Sequence, residues 1–176
     1  EAVNFMIRHG RGLVCAPLTA ERARVLDLDL QVARNTESMR TAFTVSVDAR
    51  ENASTGISAS DRALCLQLLA NPAVGAGAFN RPGHIFPLIA ENGGVFKRQG
   101  HTEAAIDLAT LAGFQPVGVI CEIIKDDGEM ARLPDLELFA AEHNLKIISI
   151  ADLLAYRKRT ENLISEVESA PMPTDT

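Results

Sequence analysis

The chain has 176 residues, a length that predicts one domain with a hydrophobic core of ordinary size. Apolar residues make up 47% of the chain and charged residues 23%, which excludes a disordered chain, a collagen-like repeat and a small disulfide scaffold. The apolar runs are far shorter than the roughly 20 residues that a membrane-spanning helix needs, so no membrane segment is expected.

The charge balance of 17 basic against 23 acidic residues gives a net charge of −6. Such a surface does not attract nucleic acid or anionic membranes, so neither is expected as a partner.

Cys15, Cys65 and Cys121 form no Cys-x-x-Cys pair and lie in apolar sequence. This pattern is typical of reduced core thiols in a cytoplasmic protein, and a metal or redox role is the weaker alternative.

Helical and strand patterns alternate along the chain. The first half predicts a helix at 3–8, a strand at 13–18, a helix at 21–26, a strand at 41–47, a helix from Ser58 to about 71 and a loop at 75–84. The second half predicts a strand at 85–90, a helix at 102–112, a strand at 117–124, a helix at 134–143, a strand at 146–150 and a last helix from Ala151. This order predicts an α/β or α+β layered fold, in which helices cover a mixed β-sheet.

Two helix starts carry side chains that can cap them. Thr19 is placed to cap the short helix that follows it, and Ser58 with Asp61 fits a capping box. Residues 41–47 alternate between an apolar face and a small or polar face that carries Thr44. This alternation predicts a half-buried strand.

Familiar motifs of nucleotide-binding proteins, metalloproteases and serine hydrolases are absent from the sequence. Residues 97–103 instead place polar groups at a predicted helix N-terminus, where free N–H groups favour an anion. Arg98, Gly100 and Thr102 can surround a phosphate there, and His101 offers an imidazole for a metal or a proton. The alternative is that Thr102 only caps the helix and Arg98 is solvated.

Three more side chains are candidates for a site. His84 lies in a Gly-rich loop before an apolar segment, and Thr55 lies in a loop where its hydroxyl can hold a substrate oxygen. Glu122 interrupts an apolar strand, so it is either a buried acid, base or metal ligand, or an edge-facing side chain. His9 and His143 have the pattern of ordinary helix-end residues. Together the candidates indicate metal-assisted acid–base chemistry on a small phosphorylated substrate, without naming the reaction.

Several stretches of the chain resemble, in order, the 3,4-dihydroxy-2-butanone 4-phosphate synthase (DHBP synthase) family of riboflavin biosynthesis. They include Arg81-Pro82-Gly83-His84 and Gly100-His101-Thr102-Glu103, and in full they cover 12–15, 41–45, 54–62, 81–88, 100–105, 118–122 and 127–132. The resemblance implies conversion of D-ribulose 5-phosphate to L-3,4-dihydroxy-2-butanone 4-phosphate and formate, with Mg²⁺ or Mn²⁺. It also implies a DHBP synthase-like domain at 1–160, followed by a helix end and linker at 161–176.

The same resemblance implies a role for individual residues. His84 and Glu122 are expected to be catalytic, and His101 is expected to bind the metal. Substrate contacts are expected from Arg98, Gly100, His101, Thr102, Glu122, Thr55 and Cys15. Because the family is homodimeric with sites near the subunit interface, His84 is expected to serve the partner's site.

The chain departs from the family at two places. The family's N-terminal strand and acidic loop are absent, so a second carboxylate ligand is expected upstream of Glu1, in a longer protein. Arg40 stands where the family has Gly. The tail resembles the linker to a fused GTP cyclohydrolase II domain. The alternative function is a catalytically incompetent domain that serves as a dimerisation scaffold for such a partner.

Overall fold

The structure, a computed structural model, describes residues 1–161, which contain four strands and six α-helices. The strands are β1 (Cys15–Thr19), β2 (Ala42–Phe43), β3 (Val47–Ala49) and β4 (Phe79–Ala90). The helices are α1 (Ala2–Phe5), α2 (Ala20–Val25), α3 (Ala59–Ala70), α4 (His101–Leu111), α5 (Leu133–His143) and α6 (Ile150–Thr160). The predicted linker at 161–176 lies outside the described residues, apart from Glu161.

The sheet is mixed and is centred on β4. Strand β1 runs parallel to β4, with Cys15 opposite Phe86, whereas β2 and β3 both run antiparallel to β4. The core lies where α3 packs against this sheet and α1 packs on α3. Its most buried side chains include Leu18, Val47, Leu69, Phe79 and Ile85. The predicted mixed sheet covered by helices is confirmed.

Residues 117–124 lie beside β1 as an extended edge segment, which we call the edge segment. The Cys15 N–H donates to the Ile120 carbonyl at 2.9 Å, and the Ile120 N–H donates back to Cys15 at 3.0 Å. These contacts form isolated bridges and not a continuous ladder, partly because Pro17 of β1 has no N–H to donate. Residues 117–124 are therefore extended beside β1, as predicted, but they do not form a regular strand.

The predicted strand at 146–150 is wrong. Residues 145–149 form no strand, and α6 begins already at Ile150. Ile147 and Ile148 are 48% and 57% exposed. The apolar run that suggested a buried strand thus has no sheet partner within the described residues.

The predicted loop at 75–84 is also wrong in its second half, because β4 already begins at Phe79 and runs for 12 residues. Pro82 and Gly83 suggested a loop, but both lie in the strand, next to a register shift between Val47 and Asp48 of β3. A Cβ on Gly83 would lie 2.1 Å from the Val47 carbonyl carbon. Glycine is needed here because the two backbones approach closely at the bulge.

The predicted strand at 41–47 is divided between β2 and β3, and the polar face assigned to Thr44 is wrong. Thr44 is completely buried, and its hydroxyl donates to the Pro87 carbonyl at 3.2 Å. A threonine satisfies its hydroxyl on the neighbouring backbone and so can be buried at a position that alternation assigns to solvent.

Both predicted helix caps form. The Thr19 hydroxyl accepts from the Arg22 N–H at 3.1 Å, and the Ser58 hydroxyl accepts from the Asp61 N–H at 3.0 Å. The reciprocal half of the predicted capping box is not made, because the Asp61 carboxylate accepts from the N–H groups of Ser54 and Gly56. The Ser54 hydroxyl also donates to Asp61 Oδ2, at 2.7 Å. This bond, together with those from the N–H groups, lowers the pKa of Asp61 and fixes the loop before α3.

His9 and His143 belong to an aromatic cluster and not to a candidate site. Their ring centroids lie 4.7 Å apart, and both rings contact Phe5. His143 also packs on Phe139 at 4.5 Å. The cluster docks the C-terminal end of α5 against the N-terminal helix, in keeping with the structural role predicted for both histidines.

The loop before β2 explains how Arg40 is accommodated. The Glu37 carboxylate accepts from the N–H groups of Met39 and Thr41, which lower its pKa to about 2. Arg40 lies between them with a φ of 52°, in the left-handed region that costs a non-glycine residue about 1–2 kcal/mol.

We predict that Arg40→Gly raises the free energy of unfolding by about 0.5–1 kcal/mol, because relief of this strain exceeds the added freedom of the unfolded chain. Urea denaturation measures the change. Arg34→Gly, at a position of the same loop without a positive φ, is the matched control and is expected to give no gain. An equal or lower stability of Arg40→Gly would contradict the prediction.

Candidate active site

The N-terminus of α4 is open to an anion. Gly100 is the N-cap residue and offers no side chain to the helix, and the first backbone bond of the helix runs from the Ala104 N–H to the Gly100 carbonyl at 2.9 Å. The N–H groups of His101 and Thr102 precede that bond, so they are available to a bound oxygen. Thr102 lies inside the helix and is 5% exposed, so the alternative that it caps α4 is wrong.

Arg98 is held in place and is not freely solvated, contrary to the second half of that alternative. Its guanidinium donates to Glu103 Oε2 at 2.7 Å and to the Met39 carbonyl at 3.2 Å. Glu103 is 1% exposed, and its other oxygen accepts from the Glu91 N–H at 3.0 Å. A buried carboxylate therefore orients the arginine beside the free helix N–H groups.

Gly100 is required where these groups meet. A Cβ at this position would lie 2.5 Å from Arg98 Nη1 and 2.6 Å from Glu103 Oε2. Any side chain would force the ion pair apart. Sequence analysis selected Gly100 and Arg98 but missed Glu103, whose signal was a carboxylate in the first turn of the helix.

His101 is exposed at the mouth of an apolar cleft of about 630 Å³, which we call the α4 cleft. Its walls come from α4, from Gly118 to Ile120 of the edge segment and from 148–150. Within residues 1–161, no three His, Cys, Asp or Glu side chains gather closely enough to hold a metal ion. Because Mg²⁺ prefers about six oxygen ligands, the described residues alone do not fit a magnesium site.

Glu122 is exposed, so of the two alternatives the edge-facing side chain is confirmed and the buried carboxylate is wrong. Its Oε2 accepts from the Leu13 N–H at 2.8 Å, and a Cβ on Gly12 would lie 2.5 Å from the same oxygen. The carboxylate therefore rests on the turn that leads into β1, while its other oxygen makes no hydrogen bond within the described residues. This arrangement leaves Glu122 oriented and able to exchange a proton with a ligand.

Cys15 lies behind Glu122 as an unreactive thiol. It is 3% exposed, and burial, together with the charges of Glu122 and Cys121, raises its pKa to about 12. The thiolate is the nucleophilic form of cysteine, so at neutral pH Cys15 can shape the site but not attack a substrate.

His84 is paired with Asp48. The His84 Nδ1 lies 2.7 Å from Asp48 Oδ2, and the His84 N–H donates to Asp48 Oδ1 at 2.9 Å. The loop of Thr55, an exposed residue, lies against this pair, since a Cβ on Gly56 would fall 2.1 Å from Asp48 Oδ2. The carboxylate orients the imidazole and leaves its Nε2 available to a ligand. Asp48 was not among the predicted residues.

The structure places the predicted site residues in three groups. Arg98 to Thr102 form the first group, Cys15 with Glu122 the second, and Thr55 with His84 the third. Packing of Ala105 on Gly118 joins α4 to the segment that carries Glu122. Within residues 1–161, no hydrogen bond or ion pair links His84 to either of the other groups.

Arg62 is a further residue that sequence reasoning missed. Its Nε is the only buried side-chain nitrogen or oxygen without a hydrogen-bond partner among the described residues. Its positive charge acts on Cys121, next to Glu122, where it opposes the rise in the pKa of that thiol caused by burial. An arginine near Glu122 whose Nε has no partner adds positive potential to the second group.

Comparison with known proteins decides the family. The model of the 3,4-dihydroxy-2-butanone 4-phosphate synthase family matches residues 1–156. The chain belongs to this family. All three groups of candidate residues lie inside the matched range, so the predicted resemblance is confirmed.

Curated relatives are about twice as long as this chain. The riboflavin biosynthesis protein RibBA of Bacillus mycoides is 56% identical over 175 residues, which are 99% of this chain and 44% of the relative. RibBA of Aquifex aeolicus is 56% identical over 176 residues, 43% of its length. The chain therefore spans less than half of these relatives.

Solved structures of DHBP synthases have the same fold. A two-domain DHBP synthase from A. baumannii matches 98% of this chain and 51% of its own, with a TM-score of 0.89 and 47% identity. A DHBP synthase in complex with two magnesium ions matches 90% of this chain and 79% of its own, with a TM-score of 0.85 and 45% identity. Among the described helices of this chain, none has the length and apolar character to cross a membrane.

Proposed function

We propose that this chain carries the synthase reaction of its family, in which D-ribulose 5-phosphate gives L-3,4-dihydroxy-2-butanone 4-phosphate and formate. The single observation that supports it most is the oriented Arg98 beside the free N–H groups of α4. The reaction divides five carbons into four and one, and its atoms balance without an oxidant. The chain therefore needs to bind the phosphate, move protons and hold the rearranging carbons.

Phosphate binding is assigned to the first group. The N–H groups of His101 and Thr102 and the guanidinium of Arg98 offer donors to one oxyanion. The ion pair with Glu103 neutralises part of the arginine charge and fixes the guanidinium. Arg98 therefore contributes N–H groups of fixed orientation as well as positive charge. The small Gly100 lets the phosphate approach the backbone.

Proton transfer is assigned to Glu122. Its carboxylate is oriented by the Leu13 N–H through one oxygen, so the other can take the proton beside the substrate carbonyl and return it later. Cys15, which remains a thiol at neutral pH because its pKa is raised to about 12, contributes a neutral wall beside the carboxylate. Thr55 is proposed as a hydroxyl contact to the substrate.

His84 is proposed to act in the site of a partner subunit. Within residues 1–161, no hydrogen bond or ion pair joins His84 to the first two groups, which supports this proposal. The pairing with Asp48 supports it too, because it directs Nε2 away from that carboxylate. The proposal makes a homodimer the functional unit, with each site completed by the histidine of the other chain.

His101 is proposed to bind a divalent metal, Mg²⁺ or Mn²⁺. The structural relative that holds two magnesium ions supports metal use, and His101 is exposed beside the proposed phosphate site. Its further ligands, a carboxylate among them, would come from outside residues 1–161, and the proton transfers assigned above involve this chain's own side chains.

The domain bounds and the segment that follows the domain are part of the proposal. We propose that residues 1–160 form the synthase domain, and that 161–176 lead to a GTP cyclohydrolase II domain, since the RibBA relatives extend well beyond the match. The free cysteines support a reducing compartment, the cytoplasm. The scaffold alternative is not favoured, because a scaffold needs neither the oriented Arg98 nor the oriented Glu122.

We predict that Arg98→Lys raises the KM for ribulose 5-phosphate about tenfold with a smaller change in kcat. Lysine keeps the charge beside Glu103 but loses the planar fork that directs two N–H groups. Formate release at varied substrate concentration measures both constants. Lys97→Met, which removes the neighbouring charge, is the matched control and is expected to change KM less than about twofold. An unchanged KM in Arg98→Lys would remove Arg98 from the proposed phosphate site.

A further inference from the structure

His84 lies in a bulge between β3 and β4. The two strands pair on either side of this bulge, and residues 81–84 of β4 have no opposite residue on β3. Two side chains of the β3 region accept N–H groups from the bulge, Ser46 Oγ from Gly83 at 3.1 Å and Asp48 Oδ1 from His84 at 2.9 Å. One oxygen of the Asp48 carboxylate therefore fixes the backbone of His84.

The second oxygen of the same carboxylate holds the imidazole ring. Asp48 Oδ2 lies 2.7 Å from His84 Nδ1. An ionised carboxylate only accepts hydrogen bonds, so the proton between these two atoms belongs to Nδ1. A neutral imidazole carries a single proton on one of its two nitrogens. With that proton on Nδ1, Nε2 presents a lone pair and not an N–H group.

The surroundings of Asp48 leave His84 as its charge partner. The Asp48 side chain is 14% exposed, and its only ion pair among the described residues is with His84. The Gly56 backbone lies so close to Oδ2 that a Cβ there would fall 2.1 Å away. On α3, the Cys65 thiol donates to the Val47 carbonyl and not to Asp48. Burial, together with the Asp48 charge, raises the pKa of that thiol to about 12, so it is uncharged at neutral pH.

The other side of the imidazole is open. The His84 side chain is 42% exposed, three times the exposed fraction of Asp48. A ring that is fixed through Nδ1 and open at Nε2 has the arrangement of a general base whose tautomer is set by a carboxylate.

We propose that Asp48 is a positioning residue, which holds His84 in the tautomer with the proton on Nδ1 so that Nε2 accepts a proton from a ligand. In the proposed reaction Nε2 takes that proton, the ring becomes an imidazolium beside the Asp48 carboxylate, and the proton later leaves from Nε2. This second step rests on the proposed function, whereas the tautomer is a property of the folded chain alone.

Asp48→Asn separates the tautomer from the fold. Its side-chain oxygen can still accept from the His84 N–H, so the hold on the backbone is kept. Its amide nitrogen only donates, so it takes Nδ1 as an acceptor and the ring proton moves to Nε2.

The tautomer is measured by NMR in the natural-length protein labelled with ¹⁵N at histidine. At about pH 8, where an ordinary imidazole is neutral, we expect Nδ1 of His84 to give the signal of an N–H and Nε2 that of an unprotonated nitrogen. Loss of the signals in His84→Gln assigns them. In Asp48→Asn the two nitrogens are expected to exchange states. A proton on Nε2 in the unmodified protein, or the same tautomer in both proteins, would overturn the proposal.

Kinetics test what the tautomer does. Asp48→Asn is expected to lower kcat for formate release by at least about 30-fold and to change KM less than about threefold, because Nε2 no longer accepts a proton. Glu51→Gln, the same change of charge at an exposed residue just beyond β3, is the matched control and is expected to leave kcat within about twofold.

A kcat of Asp48→Asn within a few-fold of the unmodified protein would overturn the positioning role. Absence of formate with the unmodified protein would instead count against the proposed function. The NMR measurement requires no activity, so it decides the tautomer in either case.

Discussion

Glu122→Gln is expected to lower kcat for formate release by at least about 100-fold and to change KM much less. Glutamine keeps an oxygen that can accept from the Leu13 N–H, which Glu122 now binds at 2.8 Å, so the fold and the turn before β1 are preserved. It cannot take a proton, and loss of general acid–base catalysis commonly costs 10²–10⁴-fold. Initial rates of formate release from ribulose 5-phosphate measure the effect.

Glu129→Gln is the matched control for this prediction. Glu129 is exposed on the turn that follows the edge segment, so the same change of charge there is expected to leave kcat within about twofold. A kcat of Glu122→Gln within a few-fold of the unmodified protein would show that another group moves the proton.

Arg22→Met is expected to lower the free energy of unfolding by about 3 kcal/mol, the largest stability effect among our predictions. Arg22 donates to four backbone carbonyls at and beyond the C-terminus of α3, those of Leu68, Leu69, Asn71 and Val74. The last carbonyls of a helix have no partner within it, and each partly buried carbonyl left unsatisfied costs on the order of 1 kcal/mol.

Thermal unfolding measures this change, which corresponds to a Tm lower by about 6–12 °C for a domain of this size. Arg24→Met is the matched control, because Arg24 lies on the same helix and is exposed. It is expected to alter stability by less than about 0.5 kcal/mol. Equal Tm values for the two variants would contradict the role assigned to Arg22.

Features set by neighbouring residues were predictable from the sequence. The caps at Thr19 and Ser58 and the proline in the first turn of α5 act over three residues or fewer, so the starts of these helices were located well. The glycine and arginine before α4 were identified for the same reason. The residues next to a helix start are sufficient to locate it.

Features set by distant contacts were not predictable in the same way. Asp48 pairs with His84 across 36 residues, and no spacing rule joins them. The strand at Pro82 depends on a bulge in β3, and the exposure of Glu122 depends on the turn at Gly12. The stretches predicted as strands at 117–124 and 146–150 form no continuous ladder within the described residues. In each case the missing information lies in a partner far along the chain.

Formate release by the natural-length protein is the most direct test of the proposed synthase activity. Ribulose 5-phosphate labelled with ¹³C at every carbon is supplied with Mg²⁺, and the appearance of labelled formate is followed by NMR beside His101→Ala and a chelator control. We expect labelled formate in equal amount to the four-carbon phosphate, abolished by His101→Ala and by the chelator. If the folded, metal-loaded protein released no formate, the proposed activity would be wrong and the scaffold alternative would be favoured.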